Sequence, residues 1–127
     1  MKPEDKVCTL EQAKRLAELK VKREAGKFWF CPTGGKIRLI NGTGSGPVDY
    51  PAYDVAELGE MLPKLLPNQP LFDGHIEMRN FQGCWHLKYT NIVRFIHKGE
   101  AHIRADMLIW LLENNHITTK ELNGDSE

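Results

Sequence analysis

The sequence predicts an α+β domain: about five short antiparallel strands, with N-terminal, middle and C-terminal helices packed against one sheet face. Three observations predict it. The segment from Glu100 to Asn115 has no Gly or Pro and holds six consecutive apolar residues, Met107 to Leu112. It is too long for an ordinary strand and suits a helix of about four turns. Short segments bounded by turn residues read as strands, and their links are too brief for parallel crossovers. Capping patterns at Thr9 and Asp54 open two further helices.

At 127 residues the chain reads as one domain, 1–127, able to bury a core without disulfide or metal staples. Residues 1–8 and 117–127 are polar enough to be expected as loose termini. Lys plus Arg equal Asp plus Glu at 17 each, so no global field attracts nucleic acid or an acidic membrane, although a local basic patch is compatible with that balance. Cys8, Cys31 and Cys84 are odd in number and far apart. With no CxxC, no secretory leader pattern and no apolar run near 18 residues, the expectation is a reduced, cytosolic protein without a membrane span.

Taken in order, Thr9-Leu-Glu-Gln12 is a capping box, and a helix follows to about Leu19 or Val21 on Leu10, Ala13, Leu16 and Ala17. Lys14, Arg15, Lys20, Lys22, Arg23 and Lys27 make its surroundings basic. Phe28 to Cys31 is an aromatic strand, Pro32 to Gly35 turns the chain, and Lys36 to Ile40 returns. The loop Gly42 to Pro47 has alternating glycines but neither the Lys-Ser/Thr of a phosphate loop nor a helix-opening GxGxxG, so it reads as a connector. Asp54 caps a helix from Val55 to Leu62. Prolines at 63, 67 and 70 then make Lys64 to Phe72 irregular. Strands are expected at His75 to Arg79, Cys84 to Tyr89 and Ile92 to His97. In the second of these, Trp85, Leu87 and Tyr89 alternate with Cys84, His86 and Lys88, the pattern of a half-buried strand.

The helix after Glu100 organises the rest. Ile103, Met107, Leu108, Leu111 and Leu112 fill one face, and Ile109 and Trp110 add apolar flanks. Such a helix is buried on more than one side and is expected near a subunit interface. Arg104 and Asp106 fall in its first turns, where backbone N–H groups can hold an anion.

Candidate chemistry is sparse. His75, His86 and His97 recur at intervals of 11 and could supply zinc ligands, but simple alternation does not converge them, so no metal is expected. Cys84 and His86 share a strand face without an orienting third group. No enzyme signature emerges. Phe81, Asn80, Asn91, Arg104 and Asp106 form a set suited to a nucleotide. The ring stacks a base, Arg and helix N–H groups take phosphate, and Asp or Asn takes ribose hydroxyls.

Three segments, VCTLEQAKRLAEL, YPAYDVAELGEMLP and HIRADMLIWLLENN, resemble the phage Thoeris anti-defence sponge family of small phage and prophage proteins. The resemblance implies a homo-oligomer in the bacterial cytosol that performs no chemistry and needs no cofactor. Such a protein sequesters cyclic ADP-ribose isomers made by TIR-domain immune proteins, and some members bind cyclic oligonucleotides at separate sites. It implies a ligand set of Phe81 (stacking), Asn91 (polar contact), and Arg104 with Asp106 (phosphate and ribose). Lys22, Arg23 and Lys27 would be second-site contacts. Two other functions remain open at this level: an accessory module that binds a host protein, and a small cyclic-nucleotide phosphodiesterase using the histidines.

Overall fold

The computed structural model describes residues 5–22, 25–33, 35–41, 49–66 and 73–123. It contains helices α1 (Leu10–Glu18), α2 (Val55–Met61), α3 (Glu100–Glu113) and the short α4 (Thr119–Leu122). The strands are β1 (Phe28–Thr33), β2 (Lys36–Asn41), β3 (Tyr50–Pro51), β4 (Ile76–Phe81), β5 (Cys84–Tyr89) and β6 (Val93–His97). They form two antiparallel three-stranded sheets, ordered β2-β1-β3 and β4-β5-β6. The fold is therefore α+β, with six strands among the described residues divided between two sheets. The additional strand, β3, pairs with β1 at Trp29↔Pro51 and Phe30↔Tyr50; two residues give no alternation that a sequence pattern could register. The expected Gly42–Pro47 connector lies outside the described residues.

α3 is the centre. Ala101, Ile103, Ala105, Met107, Leu108, Leu111 and Leu112 are all buried. At ~100° per residue they sweep roughly 200° of the helix circumference. Different sectors meet α1, α2, β5 and β6. Leu87 and Tyr89 point from β5 into this core, with Val93, Phe95, Ile76 and Met78 half-buried around them. The Tyr89 hydroxyl donates to the Pro63 carbonyl at 2.7 Å, which satisfies its polar tip inside the core.

The expected capping box at Thr9 forms, and the expected cap Asp54 proves to belong to a second box with Glu57. Thr9 Oγ1 accepts from the Gln12 N–H at 3.1 Å and Gln12 Oε1 accepts from the Thr9 N–H at 2.9 Å. Asp54 and Glu57 repeat the exchange at 2.8 and 2.9 Å. α1 and α3 end alike: the chain turns left-handed at Lys20 (φ 72°) and Asn115 (φ 60°). Val21 N–H then reaches Leu16 O at 3.0 Å, and His116 N–H reaches Leu111 O at 2.9 Å, closing carbonyls that the helices leave open.

The described parts of the termini, 5–8 and 117–123, correct the expectation of looseness there, while 1–4 and 124–127 lie outside the described residues. Val7 and Cys8 are buried, as are Ile117 and Leu122. Val7 bridges to Asp54, the Cys8 N–H donates to Tyr53 O at 3.0 Å, and Asn123 ties to the Lys22 N–H and Lys20 O at 2.7 and 3.0 Å. Isolated apolar residues among polar neighbours carry no periodicity, so their burial was invisible beforehand. Among the described residues no helix is long and apolar enough to cross a membrane.

Lys20 occupies a conformation that costs an L side chain about 1 kcal/mol and suits glycine. Lys20→Gly should therefore raise unfolding free energy by roughly 0.5–1 kcal/mol in urea titrations. Burial pushes the Cys8 thiol up from 9.0 to about 12, and burial likewise raises the Tyr89 phenol. Both groups hold their protons more tightly folded than unfolded. Their contribution is complete below the unfolded values and is lost as pH rises from about 9 towards 12. The urea midpoint should fall across that window, and Cys8→Ala should flatten the fall.

Candidate functional site

A concavity lies where β5 and β6 run into the start of α3. It has a volume of about 870 Å³, and its walls come from Trp85, His97 to Glu100, His102, Asp54 to Ala56, and Asp5 with Lys6. The β5–β6 register places Trp85 directly opposite His97. After His97 two residues, Lys98 and Gly99, carry the chain into α3.

Gly99 is the N-cap of α3, and no side chain caps this helix, unlike α1 and α2. Two contacts fix its start. The Gly99 N–H donates to His97 Nδ1 at 2.9 Å, and the His97 and His102 rings meet edge to face with centroids 5.3 Å apart. The glycine is needed sterically: a Cβ at position 99 would lie 2.9 Å from His102 Nδ1. His102 Nε2 is buried and finds no hydrogen-bond partner among the described residues. Because His97 Nδ1 accepts a hydrogen bond, neutral His97 carries its proton on Nε2.

α2 contributes differently. Its N-terminus is already satisfied by Asp54, whose Oδ2 also lies 3.5 Å from Lys27 Nζ. α2 therefore supplies the apolar Val55 and Ala56, and the uncapped N–H groups belong to α3. An indole ring, two lysines (Lys6 and Lys98), three carboxylates (Asp5, Asp54 and Glu100), two imidazoles and an open helix start converge on one groove. This set can stack an aromatic ring and hold a negative charge beside it.

The residues chosen from sequence do not converge on one point of the chain. Phe81 ends β4, on the sheet face turned away from α3, and is 58 % exposed. Asn91 lies beyond the opposite end of β5, ~17 Å away along the strand, in a left-handed turn position (φ 60°) with its amide donating to Asp73 Oδ1 at 2.8 Å. Arg104 and Asp106 are two residues apart on α3, so their side chains leave at ~200° to one another. Asp106 faces α1 and accepts from Gln12 Nε2 at 2.6 Å; the same amide donates to His102 O at 2.9 Å. Arg104 faces α2 and pairs with Glu100 at 3.0 Å. It lies over Gly59, where a Cβ would come within 2.5 Å of its guanidinium. Neither residue reaches the α3 N-terminal N–H groups, because the helix begins at Glu100, several residues before them. Arg104 touches the groove through Glu100.

Lys22 is exposed, Lys27 pairs with Asp54, and Arg23 lies outside the described residues. The regularly spaced histidines separate: His86 faces Phe81 on the outer sheet surface (ring centroids 6.4 Å apart), while His97 faces His102. Among the described residues no three His, Cys, Asp or Glu side chains gather closely enough to hold a metal ion.

Sequence reasoning missed Trp85, Lys98, Gly99, His102 and Lys6 as site residues. One signal was available: a glycine before an otherwise uncapped helix, preceded by a strand whose partner carries a tryptophan. The fold and groove thus define a small α+β domain with a ligand-sized cleft at a strand-to-helix junction. No protein-family model, curated protein or solved structure matches the chain.

Gly99→Ala should force the His102 ring to shift. Overpacking of this kind costs about 1–3 kcal/mol, so the melting temperature should fall, and the His97 and His102 imidazole resonances should move together in NMR spectra.

Proposed function

We propose that this protein binds a small nucleotide-type anion in the groove beside α3 and releases it unchanged. The observation that carries this reading is the placement of Trp85 next to the uncapped α3 start, in a groove of about 870 Å³. That volume falls in the ~300–1,000 Å³ range of small-molecule sites. Trp85 stacks the base, while Lys6, Lys98 and the α3 N–H groups hold phosphate. Glu100, steadied by Arg104 at 3.0 Å, accepts from ribose hydroxyls. Arg104 is then a positioning residue.

The resemblance of the three segments supports the finer reading: a phage anti-defence sponge, homo-oligomeric in the host cytosol, that sequesters a cyclic ADP-ribose-type immune signal. Sequestration demands affinity and slow release rather than transition-state complementarity. A rigid cyclic ligand suits it, since little conformational freedom is lost on binding.

The test is retention. Purified protein is incubated with cyclic ADP-ribose isomers and cyclic di- and trinucleotides, filtered and heated, and the released material is analysed by chromatography. An intact ligand is expected, with Trp85→Ala weakening retention about tenfold or more and Lys98→Ala weakening it in a salt-dependent way. A chemically altered product, or no retention of any ligand, overturns the proposal.

A further inference from the structure

The outer face of the β4-β5-β6 sheet, on the side away from α3, has a different chemistry from the groove. Strand register sets its rows. Glu77, Lys88 and Arg94 lie side by side across the three strands, and Arg79, His86 and Ile96 form the next row. Phe81 follows at the hairpin end. Glu77, Arg79, Phe81, His86, Lys88 and Arg94 enclose a shallow cleft of about 270 Å³.

The charge here is lopsided, although the chain as a whole is balanced at 17 against 17. Among the described residues lining the cleft, three cations surround a single carboxylate. Glu77 is held by Lys88 at 3.0 Å, and that hydrogen bond keeps its carboxyl below the usual range. Lys88 is in turn directly opposite Arg94. Like charges directly across a ladder destabilise a sheet, and among the described residues no side-chain hydrogen bond or ion pair engages the Arg94 guanidinium. Arg79 is directly opposite His86 and lies within the field of Glu77. A sheet that keeps this repulsion gains from an anion that spans the rows.

The aromatic neighbour narrows the anion's identity. Phe81 is 58 % exposed and lies at 75° to the His86 ring, centroids 6.4 Å apart, so much of its ring is open to solvent beside the cations. An exposed ring on a flat sheet can receive an unpaired base, whereas a base within a duplex is already stacked. We propose that this face binds single-stranded nucleic acid, a base stacking on Phe81 and successive phosphates crossing Arg79, Lys88 and Arg94. The zero net charge argued against nucleic acid as a partner. The local asymmetry created by the register overrides that average.

The experiment is fluorescence anisotropy with labelled oligothymidylate and oligouridylate of about a dozen nucleotides, beginning at about 50 mM salt. Saturable binding is expected, with a log–log salt slope near −2 for three phosphates at about −0.7 each. Arg94→Glu should weaken it about tenfold or more. Phe81→Ala should weaken it roughly five- to hundredfold. Trp85→Ala, in the groove, should leave it unchanged. Arg94→Glu removes a like-charge contact with Lys88, so its melting temperature should hold or rise, and lost binding in that variant cannot be ascribed to unfolding. Four outcomes would overturn the proposal: no anisotropy change at low salt, equal affinity for a duplex of the same length, indifference to both Arg94→Glu and Phe81→Ala, or dependence on Trp85.

Discussion

Roughly half of the α3 circumference must be kept from water, and no single neighbour can cover it. Helix α1, helix α2 and the β5–β6 face each take a sector. The polar residues of the helix are placed by what remains. Asp106 falls on the less buried side and fastens Gln12 at 2.6 Å. Arg104 falls within the buried arc and is accommodated because Gly59 leaves room for its guanidinium. A charge in that position requires a partner, and Glu100, one turn earlier, provides it. The two residues that spacing presented as a pair at the helix start are therefore fixed to different neighbours.

The same burial determines where binding chemistry is available. α1 and α2 begin with reciprocal capping boxes, so their first N–H groups are engaged. α3 begins at Gly99, where any side chain would collide with the His102 ring. Packing thus disfavours the residue types that cap helices best and leaves the start of the longest helix open towards a groove. Trp85 reaches that groove from β5 because its register partner is His97, the last residue before the turn into α3. A ligand there would be held between a strand end and a helix start, both anchored in the core, which is a precise support for a polar contact set.

The two faces of the second sheet divide the chemistry further. Alternation along β5 sends Trp85, Leu87 and Tyr89 inward and Cys84, His86 and Lys88 outward. The inward face becomes core and groove wall; the outward face becomes a cationic strip around Phe81. Overall charge balance conceals this, since acids elsewhere on the chain offset cations gathered by register on one surface.

Much of the fold was legible in the sequence because its signals are local. Thr9 with Gln12 specifies a helix start within four residues, Asp54 marks a second, an unbroken apolar run specifies α3, and alternation specifies β5. Elements fixed by distant contacts were not legible: β3 exists through β1, and Val7, Cys8, Ile117 and Leu122 are buried by partners far along the chain. The site divides the same way. Sequence identified Phe81, Asn91, Arg104 and Asp106 by residue type, and those types are suited to a nucleotide. It could not supply their direction, because a ~200° separation on α3 and the two ends of a strand are properties of three-dimensional placement. Tertiary structure alone brought Trp85, Lys98, Gly99, His102 and Lys6 to one groove. Side-chain chemistry is written residue by residue, but convergence depends on register and helix rotation, which are set by how the core closes around α3.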